Sequence, residues 1–138
     1  MFISYIIKKL IVFLKLFFNK LGFAINFSSD GEDIILQKWL AGINKGFYID
    51  IGSHKPFYSS NTYAFYLNNW SGICIDPNPG LKFKYSLLRS SDLFLNSAIV
   101  LKKNRKNNLF YYYKKNTDLN TFSKKRVLIQ QKLYGRYP

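Results

Sequence analysis

With 138 residues, the chain has room for one domain, and its 48% hydrophobic content excludes a disordered polar chain. The net charge of +14 raises a nucleic-acid reading, but the charge sits at the two ends. Residues 1–27 carry four lysines and no acid, residues 28–101 are balanced, and residues 102–138 hold eleven basic side chains against Asp118 alone. A basic end attracts phosphates or anionic lipid without specifying either. No nucleic-acid-binding motif accompanies it, so no specific nucleic-acid partner is expected.

The first 27 residues are apolar but interrupted. A spanning helix needs about 20 mostly apolar residues, and Lys8, Lys9 and Lys15 break every such run. At about 100° per residue, Ser4, Lys8, Lys15 and Asn19 form a narrow polar stripe, with Lys9 and Lys20 on its flank. The pattern predicts an amphipathic helix over residues 1–27, either lying on a membrane surface or packed on the body of the protein. No small-residue cleavage site follows, which argues against a secretory signal.

In NFSSDGEDIILQKWLAG, Ser28, Ser29 or Asp30 can cap a helix whose first turn carries Glu32 and Asp33. Ile34, Ile35, Trp39 and Leu40 supply its apolar side, and Gly42 can end it. The strand FYIDI (47–51) follows, with Phe47, Ile49 and Ile51 on one face and Tyr48 on the other, suited to burial on both sides. After the loop GSHKP, residues 60–69 read as a helix capped by Ser60 or Asn61, and ICID (73–76) as a second strand. Pro77 and Pro79 turn the chain into a third helix, LKFKYSLLRSS, and LFLNSAIV (93–100) is a third strand. This is the α/β alternation of a doubly wound parallel sheet. Beyond it come a turn-like basic run (102–108), a short strand LFYYY (109–113) and a helix FSKKRVLIQQKLY (122–134). The single cysteine, Cys74, lies inside an apolar run without a disulfide partner or a metal-ligand cluster, and reads as a buried, inert thiol. Trp39, Trp70 and Tyr111–Tyr113 read as packing rather than as a substrate platform.

Asp50 and Asp76 close the first two strands, the position where open α/β sheets bind ligands. An acid at the end of the second strand can accept both hydroxyl protons of a ribose diol. A dinucleotide would need several glycines to bring backbone N–H groups to its pyrophosphate. This loop has one, Gly52, and an acid where phosphate would be repelled. A cofactor with a ribose but no phosphate fits better, and S-adenosylmethionine is one: Asp50 and Gly52 would face its methionine end, and Asp76 its ribose.

The chain resembles the FkbM-type methyltransferases. The matching stretches are FSSDGEDIIL (27–36), GFYIDIGSHKP (46–56), SNTYAFYLNNWSGICIDPNP (60–79), LNSAIV (95–100) and NTFS (120–123), in the family's order. The resemblance implies a Rossmann-like class I methyltransferase fold and S-adenosylmethionine-dependent methyl transfer to oxygen, often on a sugar or natural-product hydroxyl. By position it implies that Asp50, Gly52 and Ser53 form the first cofactor motif and Asp76 the second. Asn96 to Ala98 would close the third strand near the adenine. Glu32 would face the methionine end or merely serve its helix start, and Asn61 is either a family contact or a helix cap. His54 is either a general base or a loop histidine bonded to backbone. Members carry a further strand and an Asp-x-Glu-Gly motif that this chain lacks. The expectation is therefore an incomplete parallel sheet: an N-terminal amphipathic helix over 1–27 and a partial methyltransferase domain over 28–138, with little activity alone. A small-molecule or saccharide acceptor and a cytoplasmic location, with membrane-surface contact through residues 1–27, complete it. The competing expectation is a catalytically inactive, membrane-associated or basic interaction fragment.

Overall fold

The computed structural model describes residues 2–100 and 109–138; the basic run 102–108 lies outside the described residues. The chain divides into two compact units, Met1–Asn96 and Ser97–Pro138. In the first, three parallel strands, β1 (Phe47–Ile51), β2 (Ser71–Ile75) and β3 (Leu93–Leu95), pair in the order β1-β2-β3. Phe47 stands opposite Ser71 and Ile51 opposite Ile75, while Ile73 stands opposite Leu93. Helix α1 (Phe2–Lys20) and helix α2 (Glu32–Trp39) precede the sheet. Helix α3 (Tyr63–Leu67) links β1 to β2, and helix α4 (Leu81–Leu88) links β2 to β3. The unit is mixed α/β with a small open parallel sheet.

The core lies on one face of that sheet. Tyr48 of β1, Cys74 of β2 and Phe94 of β3 pack with Leu81 and Tyr85 of α4. Tyr63, Tyr66 and Leu67 of α3 gather Ile11 and Val12 of α1 together with Phe27 and Tyr48. Gly72 permits this packing, because a Cβ there would meet the ring and carbonyl oxygen of Tyr48. On the opposite face Ile75 of β2 is buried, but β1 and β3 lie open. Phe47, Ile49 and Ile51 are each more than 60% exposed, and Leu93 is 55% exposed. The expected burial of β1 on both sides therefore holds on one side only.

Several element bounds differ from the sequence expectation for identifiable reasons. Helix α1 stops at Lys20, where Gly22 takes a left-handed conformation (φ 84°) and Phe23 N–H bonds the Phe18 carbonyl. Helix α2 has Gly31 at its N-cap (φ 85°), so none of the three expected residues occupies that position. Ser28 nevertheless serves the helix: its Oγ accepts from the Asp33 N–H (3.3 Å) and donates to the Asp33 carboxylate (2.7 Å). Trp39, expected on the apolar side, is 78% exposed, whereas Trp70 is buried and packs on Phe65 with ring centres 4.9 Å apart. The helix predicted over 60–69 is only Tyr63–Leu67, and Ser60 rather than Asn61 accepts from its first N–H (3.2 Å). Strand β3 ends at Leu95 instead of Val100, because Asn96 turns its side-chain amide to the Asp76 and Asn78 carbonyls (2.9 and 2.8 Å).

In the second unit, LFYYY forms no strand beyond a single antiparallel bridge between Tyr111 and Thr121. Tyr113 N–H bonds the Asn120 side chain (2.6 Å), closing a turn that contains the 3₁₀ segment Thr117–Leu119. Helix α5 (Lys124–Tyr134) starts at Ser123, whose hydroxyl accepts from Arg126 N–H, and ends at Gly135 with φ 59°. That pairing of a serine start with a left-handed glycine stop follows the usual asymmetry of helix ends.

Candidate functional site

Parallel pairing places the ends of β1 and β2 side by side, so their terminal acids and the loops after them form one rim. The loop after β1 turns back over β2: the N–H groups of Gly52 and Ser53 both bond the Ile75 carbonyl (2.8 and 3.2 Å). Gly52 makes that turn with φ 77°, which favours glycine, and the space a Cβ would take there is open to 4 Å.

Asp76 is 4% exposed. One carboxylate oxygen accepts the His54 N–H (2.9 Å) and the other the Asn78 N–H (2.8 Å). The second-strand acid thus ties both loops of the rim together, and each oxygen keeps a second lone pair. Asn96 holds the same rim from the end of β3. Asp50 accepts a short bond from the Thr62 hydroxyl (2.6 Å).

Ser53 is 4% exposed, and its hydroxyl is buried with no hydrogen-bond partner among the described residues. Buried hydroxyls are normally satisfied, so this one stands out. His54 has a positive φ of 45° and is half-buried. Asn61 is exposed. Glu32 sits in the first turn of α2, where its own N–H and the Asp30 N–H hold its carboxyl below the usual range. The Asp30 N–H donates to it at 2.9 Å. Ala98 belongs to the second unit. Asp50, Gly52, Ser53, Asp76 and Asn96 are therefore held at the carboxyl ends of the three strands, His54 joining them through its N–H. Glu32 and Asn61 belong to the helix starts.

Beneath this rim lies a network that the sequence reading missed. Arg89 is fully buried and donates through Nε to Asp92 (2.6 Å), itself without exposed side-chain surface. Its other nitrogens reach the Pro56 carbonyl, Ser60, Tyr48 and Thr62 at 2.7–3.2 Å. The guanidinium also lies within 5.4–5.9 Å of the ring centres of Tyr48, Tyr63, Tyr66 and Tyr85. Arg89 thereby holds Thr62, and Thr62 holds Asp50. The only arginine in residues 28–101, with Asp92 three positions on, was the available signal. Burial pushes the Cys74 thiol up to about 12, in keeping with the inert thiol expected.

Comparison of the chain with protein-family models, with curated proteins and with solved structures finds no match.

Proposed function

We propose that this chain is an S-adenosylmethionine-dependent methyltransferase domain of the FkbM type, with a Rossmann-like class I fold, acting on a hydroxyl of a sugar or natural product. The observation that carries the reading is the pair of acids, Asp50 and Asp76, at the carboxyl ends of adjacent parallel strands. The surroundings fit the group. The open space at Gly52 leaves room beside backbone, the buried Ser53 hydroxyl lacks a partner among the described residues, and the lone pairs left on Asp76 can take diol protons. No glycine-rich cradle for a pyrophosphate is present between Asp50 and Pro56.

S-adenosylmethionine would supply a sulfonium-bound methyl group for transfer to oxygen. Asp76 would hold the ribose hydroxyls, and Asp50, steadied by Thr62, would face the ammonium. Asn96 fixes the rim on the side expected to meet the adenine. His54 is the candidate to accept the proton of an acceptor hydroxyl, its imidazole being the side chain suited to proton removal near neutral pH. The protein's contribution is then to hold acceptor and donor in line and to receive that proton.

Calorimetry with S-adenosylmethionine and S-adenosylhomocysteine tests the site. Wild type should bind both. Asp50→Asn should weaken both ligands by about 1–3 kcal/mol through loss of the charge facing the ammonium. Asp76→Asn should cost a similar amount, with circular dichroism checking that the rim stays folded. Absence of binding by the wild type, or unchanged affinity in both variants, rejects the assignment.

A further inference from the structure

Helix α1 is mounted with its polar stripe inward. Ser4 is 2% exposed and bonds the Tyr66 hydroxyl (3.3 Å) and Ser90 (3.0 Å). Lys8 lies over the Tyr66 ring at 4.5 Å, and Lys15 reaches Gln37 at 3.2 Å. The broad apolar side consequently faces outward: Phe2, Ile6, Leu10, Phe13 and Phe17 are each at least half exposed. At about 100° per residue these five fall within roughly a quarter-turn of one another, while Lys9 and Lys20 project along one edge of the same face.

We propose that this outward face of α1 docks on an anionic phospholipid bilayer, lying in the plane of the interface. Charge complementarity selects the occupant. Residues 1–27 carry four lysines and no acid, and the two exposed lysines sit where long stems can lie on the apolar surface while their ammonium groups reach lipid phosphates. A second feature lies on the body side of that edge. An open recess of about 340 Å³ there has an apolar floor that includes Tyr66 and Leu67, and Lys8, Lys9, Ser90 and Ser91 add the cationic and hydroxyl groups that suit a headgroup phosphate. The helix is too polar to cross the bilayer, and among the described residues none is long and apolar enough to do so. The docking does not rest on the methyltransferase reading.

Flotation of the full chain with vesicles of phosphatidylcholine, with and without phosphatidylglycerol, tests the proposal. The chain should float with the anionic vesicles, at least about tenfold more than with the neutral ones, and the difference should shrink as salt rises. Phe13→Asp with Phe17→Asp should abolish flotation while leaving the circular dichroism spectrum intact. Lys9→Glu with Lys20→Glu should remove the preference for anionic lipid. Phe13→Trp supplies a readout independent of the double variants. The emission it adds over wild type should shift to the blue on anionic vesicles and be quenched by brominated acyl chains. No flotation and no blue shift in the Phe13→Trp variant overturn the proposal. So does a dimer in solution that Phe13→Asp with Phe17→Asp dissociates while vesicles are ignored, because the face would then belong to a second copy.

Discussion

Arg89 shows how much one side chain can organise. It is fully buried, and its Nε pairs with a carboxylate that is equally buried. Such a pair adds little over a well-packed apolar substitute, but losing one member leaves the other charge stranded. Arg89→Met should therefore cost about 3–5 kcal/mol in urea unfolding. Pairing it with Asp92→Asn should recover part of that loss, because the stranded charge is gone. Arg89→Lys should not rescue, since one ammonium cannot reach Asp92, Tyr48, Thr62, Ser60 and the Pro56 carbonyl together. A folded Arg89 variant should also loosen Asp50 through Thr62, which calorimetry with S-adenosylmethionine would read as weaker binding.

At the scale of elements, two glycines do different jobs. Gly72 lies under Tyr48, and a Cβ would strike both its ring and a main-chain carbonyl that cannot move aside. Gly72→Ala should lose about 1–3 kcal/mol by forcing β1 and β2 apart. Gly52 has open space around it, so Gly52→Ala carries only the conformational cost of φ 77°, about 1 kcal/mol. Chemical denaturation of the two variants separates the mechanisms. The strands and their terminal acids were legible in the sequence because buried parallel strands are uninterrupted apolar runs, and a charge closing one is conspicuous. What escaped were outcomes decided by distant partners. Asn96 ends β3 by bonding carbonyls some twenty positions earlier, and Trp39 stays exposed although its helix pattern is apolar on that side. Periodicity located the polar stripe of α1 but carries no information on which side of the helix meets the body.

For the whole molecule, the aromatic core sets an alkaline limit. Burial raises Cys74 from 9.0 and Tyr63 from 10.0, both to about 12, and pushes Tyr48 and Tyr85 higher still. The unfolded chain releases these protons near their ordinary values while the folded chain retains them. The stabilisation is therefore complete below about pH 9 and is lost as pH rises toward 12. The urea midpoint should accordingly fall as pH rises from about 9 to about 11, and Tyr63→Phe should lessen the slope. The inward mounting of α1 has a thermodynamic corollary. Besides the apolar packing of Ile11 and Val12, its attachments to the body are hydroxyl bonds, an ammonium–amide bond and ammonium–ring contacts, and water competes for each of these polar ones. A bilayer laid over the helix lowers the local dielectric around them, and polar contacts strengthen when water is withdrawn. The surface that recruits the helix would then also fasten it to the domain, so that adsorption and internal cohesion reinforce each other.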